Sequence, residues 1–300
     1  MLAEGQDRII DAVAAVGKIA FLSPQGNLAA YCADGKVRFW NVKTGQLLRT
    51  VPLAEKARGV VFSGREDLIA VAARGGSVSM WSPKGARSLG ATPVAGVRSS
   101  PFQFSADATR LATGHSDRTV RLWDVASAKE QLVLRGGIGG TAAIALSPDG
   151  GTIVASDDDT NIRVWSTRNG ELIRLIDELQ LTTFSLAFSP DGKYLASGGA
   201  DAVLYIWDTA TWKIVRRISN QPEMIRSLVF SPDGRLIATG GFNDKSSAEP
   251  VSILLNDVAT GKVVRRMASP HLVLGAAFSP DGSLLATFTK GSTISLWQVK

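Results

Sequence analysis

Trp81, Trp123, Trp165 and Trp207 stand 42 residues apart, and no other feature of the chain narrows its fold as far. A strict period of that length marks a series of supersecondary units, each too small to bury its own sheet faces unless a neighbour covers them. A second marker keeps the same spacing. Ser63, Ser105, Ser147 and Ser189 each precede a repeat tryptophan by 18 residues, and Ser279 precedes Trp297 by the same interval. Extending the register gives seven copies, with Trp40, Trp81, Trp123, Trp165, Trp207, Asn256 and Trp297 at the tryptophan position. The sixth copy has lost its tryptophan and has a longer second turn over 240–250. The first is one residue shorter between Ser23 and Trp40.

Each copy reads as four strands. From Ser147 onward the serine opens a Ser-Pro-Asp-Gly turn four times, at Ser147, Ser189, Ser231 and Ser279. Proline presets φ at the second turn position and glycine releases the last, so the short apolar runs on either side form a hairpin. A second turn leads into alternating runs such as 119–124 and 161–165, whose period of two is that of a strand. A third turn, such as 258–261, leads into a fourth strand over 262–266. With 45% hydrophobic and 20% charged residues the chain carries material for a core and no disorder signature. These units predict an all-β ring of seven four-stranded antiparallel blades, one domain over 1–300.

Tryptophan followed by aspartate at Trp123-Asp124 and Trp207-Asp208 resembles the WD-repeat family. So does an aspartate six residues before tryptophan at Asp34, Asp117, Asp159 and Asp201. The resemblance covers nearly the whole chain and implies a seven-bladed β-propeller that binds other proteins. The family's Gly-His dipeptide is absent, with Gly136-Gly137 at the matching place in the fourth copy, so its His-Ser/Thr-Trp-Asp network is not expected in full. In this the copies are similar to degenerate prokaryotic ones. The seventh copy lacks an outer strand of its own, and an unfinished blade leaves an edge open to other chains. In the family this resembles, a segment before the first copy closes the ring, a role that falls here to Arg8 through Val13.

No constellation for catalysis, cofactor or metal emerges. Asp157, Asp159 and Asn161 alternate as at the start of a calcium loop, but Ile162 and Arg168 occupy the places of its glycine and its bidentate glutamate, which leaves a solvated turn. The glycine run 136–140 lacks a phosphate loop's Gly-Lys-Ser/Thr ending, and His115 and His271 have no metal-ligand spacing. The net charge of +6 favours acidic partners but lacks the dense basic stripe of a nucleic-acid binder. The stretch from Ile9 to Leu22 is broken by Asp11 and Lys18, so no membrane span is expected. Cys32, the single cysteine, fits a cytoplasmic protein, with export after signal-peptide removal left open. Arg49, Arg174, Arg216, Arg217, Arg265 and Arg266 fall on outer strands and read as protection of exposed edges. Trp212 replaces a turn glycine found at Gly45, Gly170 and Gly261, placing an aromatic ring either in solvent as a contact or folded back on its blade.

In the family this resembles, partners dock on the narrow face, where inner strands begin and second turns crowd the central channel. By register that selects Lys18, Lys56, Arg58, Arg98, Phe184, Met224, Arg226, Leu272 and Leu274 from inner-strand entries, and Arg74, Phe242 and Lys290 from second turns. Basic residues gather on copies one to three, with Lys290 beside them, and apolar residues on copies five to seven. The expected partner is a protein offering an acidic stretch and a hydrophobic anchor, bound by a monomer or by a subunit of a larger assembly. Alternatively, Phe184 and Leu274 plug the channel. Two other functions compete: a propeller enzyme, which needs acidic or histidine ligands at the channel, and a polyanion-binding module, which needs steep salt dependence.

Overall fold

A computed structural model of the chain describes residues 6–22, 26–53, 57–63, 68–73, 78–82, 87–92, 101–115, 117–137, 140–158, 160–179, 181–219, 221, 224–242, 251–269 and 272–299. These residues form 28 strands in seven antiparallel sheets of four, with no helix among them. Blades 1 to 6 take their strands in sequence order from inside to outside, over 16–52, 57–92, 102–134, 141–176, 183–218 and 224–269. Blade 7 combines three strands of 275–298 with Gln6–Asp11, which pairs with Thr293–Gln298 as the outermost strand and closes the ring.

The core is a set of interfaces between blades. Seven clusters of buried side chains each draw on two neighbouring sheets: Val154, Ile162 and Val164 of blade 4, for example, pack with Leu186, Leu195 and Trp207 of blade 5. The two clusters of the closing seam, around Ile10 and Leu296 on one side and Trp297 on the other, hold blade 7 between blades 6 and 1. A blade removed from the ring would expose both of its faces, which is why the period in the sequence is a statement about the whole fold.

Hydrogen bonds fix the hairpins. In the Ser-Pro-Asp-Gly turns the serine hydroxyl donates to the aspartate at 2.5 Å (Ser147 to Asp149) to 2.7 Å (Ser189 to Asp191). The backbone N–H five residues on donates to the serine, at 2.9 Å in the case of Thr152. These donors hold the turn carboxylates below the usual range, Asp281 at about 2, as Asp107 is in the matching Ser-Ala-Asp-Ala turn of blade 3. The glycines take φ of +69 to +73°, and the prolines stand beside the next blade's glycine: Pro148 by Gly192, Pro190 by Gly234, Pro232 by Gly282. In blade 1 the residue 18 positions before Trp40 is Leu22, which pairs with Asn27 as Ser189 does with Tyr194. The shortening relative to Ser23 is therefore a shift of the serine, and the hairpin itself has the common length.

The arginines assigned to edge protection also link blades. Arg216 on the outer strand of blade 5 donates to the Val258 carbonyl of blade 6 at 3.0 Å, and Arg265 of blade 6 donates to the Gln298 carbonyl of blade 7. Arg8, on the closing strand, donates to the carbonyls of Val42 and Lys43 in blade 1 at 2.9 and 2.8 Å. Arg49 lies over the Phe39 ring at 4.1 Å. Trp212 is buried at 9% exposure in the cluster between blades 4 and 5, so of the two expectations the ring folds back.

Candidate functional site

The inner strands enclose a channel with a cavity of about 1180 Å³, walled by residues from all seven blades. Its mouth is shaped by one repeated irregularity. At the entry of five inner strands the ladder to the second strand skips a residue: Gly17, Arg58, Ala142, Phe184 and Arg226. A β-bulge leaves its extra residue unpaired and re-aims it, and four of the five, Gly17, Ala142, Phe184 and Arg226, line the cavity. In blades 5 and 6 the bulged backbone crosses the second strand closely. A Cβ at Gly199 would fall 2.1 Å from the Thr182 carbonyl, and one at Gly241 still nearer the Met224 carbonyl, so both positions require glycine.

Phe184, Arg226, Leu274, Gly17, Lys18 and Ala142 all line the cavity. The Arg226 guanidinium sits 4.1 Å from the centre of the Phe184 ring, a cation–π contact between neighbouring blades. Leu274 is 40% exposed. Lys18 is exposed to the channel solvent, yet the surrounding blades displace enough water to hold its ammonium below the ordinary lysine range. Lys290 is exposed, Met224 and Leu272 are half-buried, and none of the three lines the cavity. Lys56, Arg74 and Arg98 lie outside the described residues, as do His271, Asp159 and the side chains of Arg58 and Phe242.

Beneath this mouth the acidic second-turn residues pair with the third strand. Asp34 accepts from Arg38, with Nη2 at 2.6 Å, Asp117 accepts from Arg121 at 2.7 Å, and Asp201 accepts from the Tyr205 hydroxyl at 2.9 Å. Asp157, considered as a calcium ligand, is buried against Arg163 at 2.6 Å, which supplies its counter-charge. Among the described residues no group of three or more His, Cys, Asp or Glu side chains is placed to hold a metal. Nor is there a helix long and apolar enough to cross a membrane. Reading the sequence missed Gly17 and Ser227 as channel-wall residues. Their only signal was the bulge register, visible once strand pairing is known.

Hydroxyls hold four of the repeat tryptophans, Trp81, Trp123, Trp207 and Trp297, whereas Trp165 Nε1 donates to the Arg135 carbonyl at 3.3 Å. Trp207 Nε1 donates to Ser197 at 2.9 Å, and Trp297 Nε1 donates to Thr287 at 2.8 Å. In blade 3 Trp123 Nε1 donates to Thr113, whose oxygen lies 2.7 Å from Nε2 of His115. Burial, then the nearby Arg121 charge, lower the His115 pKa to about 4, so the ring is neutral. Part of the tryptophan–hydroxyl–histidine chain thus forms after all, from a histidine on the second turn.

Seven such blades around a lined channel, with most repeat tryptophans tied to hydroxyls and aspartates to turns, define a WD-repeat β-propeller, a class that generally serves as protein-interaction scaffolds. Residues 212–246 and 261–298 match the WD domain, G-beta repeat. Residues 12–198 match the nucleolar protein 10-like, N-terminal domain, and the chain belongs to that β-propeller family. No curated protein matches the chain.

Proposed function

We propose that this propeller is a non-catalytic scaffold that receives a partner protein on its narrow face, alone or as a subunit of a larger assembly. The observation that carries the reading is the Phe184–Arg226 pair at the channel mouth: a half-buried aromatic ring beneath an exposed cation, with exposed Leu274 on the blade next to Arg226. Aromatic and arginine side chains together in a concave site are the composition of interface hot spots. A hydrophobic side chain of the partner would rest on Phe184 and Leu274, and its acidic stretch would face Arg226, Lys18 and Lys290. The basic arc of Lys56, Arg58, Arg74 and Arg98, and Phe242 on the apolar side, belong to the same proposal by register. We read the compartment as cytoplasmic from the single buried thiol of Cys32, although the namesake of the matched family is a nucleolar protein.

Affinity capture from the native cell extract tests the reading. The wild-type chain is expected to retain partners that a Phe184→Ser, Leu274→Asp double variant of equal melting temperature loses. An unchanged set of captured proteins rejects the narrow face. Binding of random oligonucleotides that falls steeply with salt would instead favour the polyanion reading.

A further inference from the structure

Among the described residues, every charged side chain on the channel wall is a cation. The wall includes Lys18 and Arg226 and no aspartate, glutamate or histidine. The two come from blades 1 and 6, on either side of blade 7, which contributes to the wall the uncharged Leu274 and, from its inner strand, Gly275 and Ala276. Acidic residues are plentiful nearby, but their charges are engaged elsewhere: Asp34 with Arg38, Asp117 with Arg121, Asp157 with Arg163. Among the described residues neither Lys18 nor Arg226 has a hydrogen bond or ion pair, and the Arg226 guanidinium lies over the Phe184 ring.

A cation on a channel wall with no counter-charge among the described residues is unfavourably placed, and loss of water already lowers the Lys18 pKa. The Arg226 guanidinium, 4.1 Å from the centre of the Phe184 ring, makes no hydrogen bond among the described residues and can offer its N–H groups to an oxyanion, while a lysine ammonium supplies a point charge to the same kind of group. Small and hydroxyl-bearing wall residues, Gly17, Ala142, Ser185 and Ser227, leave room beside the two cations and add hydrogen-bond donors. A compact ligand fits these walls better than a polypeptide, whose backbone would bring further donors and acceptors to be satisfied in the channel.

We propose that the channel is an anion site in which Lys18 and Arg226 together hold a small multivalent oxyanion of the phosphate class. The site rests on the same ring mouth and shares Lys18 and Arg226 with the proposed partner surface, but it does not use that surface's apolar anchors, Phe184 and Leu274. Loss of anion binding therefore leaves capture through Phe184 and Leu274 to be judged separately.

Isothermal titration of the full chain with inorganic tripolyphosphate at physiological salt tests it. Saturable binding of one anion per chain is expected. Lys18→Met, which keeps the apolar stem, and Arg226→Gln should each weaken it about tenfold or more, the effect of removing one charge-assisted contact. Lys262→Ala, on an exposed outer turn, should leave it unchanged, and melting temperatures of all three variants report that the ring is intact. No saturable heat with the wild type overturns the proposal, and so does an affinity unchanged in either channel variant. Binding of a hexaglutamate peptide without binding of tripolyphosphate also overturns it, in favour of an acidic-peptide groove.

Discussion

Blades 5 and 6 share strand order, turn chemistry and the inner-strand bulge, yet they fill the repeat's central buried position with different atoms. In blade 5, Trp207 is fully buried, donates to Ser197 and shares a cluster with Leu179 from the preceding connection. In blade 6 the smaller Asn256 donates to the Thr239 hydroxyl at 3.2 Å and accepts from Gln221 at 3.0 Å. Gln221 in turn accepts from Thr239 at 2.6 Å. Relative to the bulged residues Phe184 and Arg226, Leu179 and Gln221 occupy the same place. A ring of three hydrogen bonds has replaced one indole, and the amide of Gln221 stands where an aliphatic side chain stood. The comparison teaches that the position demands a volume whose polar atoms are all satisfied, and that tryptophan is one of two solutions.

The largest expected effect is removal of the indole. Trp207→Ala should cost about 3–5 kcal/mol in a chemical denaturation experiment, the range for large aromatic deletions in a core. The sharper test transplants the other solution. Trp207→Asn alone should cost a similar amount, and adding Leu179→Gln should recover about 1–2 kcal/mol as a favourable coupling in the double-mutant cycle. Zero coupling would mean that the two blades are not interchangeable at this position.

The next effect runs in the opposite direction. Gln221→Leu makes blade 6 resemble blade 5 on one side only, leaving the Thr239 hydroxyl and the Asn256 carbonyl each one partner short in a dry site. A loss of about 1–3 kcal/mol is expected. Replacing all three polar groups, Gln221→Leu with Thr239→Val and Asn256→Leu, should return most of it, because an apolar trio has nothing to satisfy. Equal midpoints for Gln221→Leu and wild type would show that water substitutes for the amide.

The same contrast explains how far the fold was legible. Tryptophan and serine recur at fixed spacing because blade geometry repeats, so seven four-stranded blades followed from the register, and the closing strand from the resemblance to the WD-repeat family. The polar ring of blade 6 did not, since Gln221 meets Asn256 and Thr239 across 35 and 18 residues, with no local pattern to announce it. Nor did the fate of Trp212, decided by a φ of +55° and a cluster drawn from two blades. The outer-strand arginines looked alike in sequence, and only the neighbour's carbonyls distinguish Arg216 and Arg265 as links between blades. At the channel, register selected Phe184, Arg226 and Leu274. It gave no sign that Lys18 and Arg226 would be the wall's only charges among the described residues, because the aspartates that balance other cations are placed by the second turns.

The smallest effect concerns a turn that departs from its neighbours. Blade 3 has Ser105-Ala106-Asp107-Ala108 where blades 4 to 7 have Ser-Pro-Asp-Gly, yet the Ser105 hydroxyl donates to Asp107 at 2.6 Å and Ala108 N–H donates to the Ser105 carbonyl at 2.9 Å, as in the others. The backbone is therefore already shaped for proline in place of Ala106, which is exposed. The pyrrolidine ring would also stand towards Gly150 of blade 4, which has open space where Gly192 and Gly234 have a neighbouring proline. Ala106→Pro should stabilise the chain by about 0.4–1 kcal/mol, chiefly by restricting the unfolded state. A lower melting temperature would show that the blade 3 hairpin reaches the same hydrogen bonds by a backbone path that proline cannot follow.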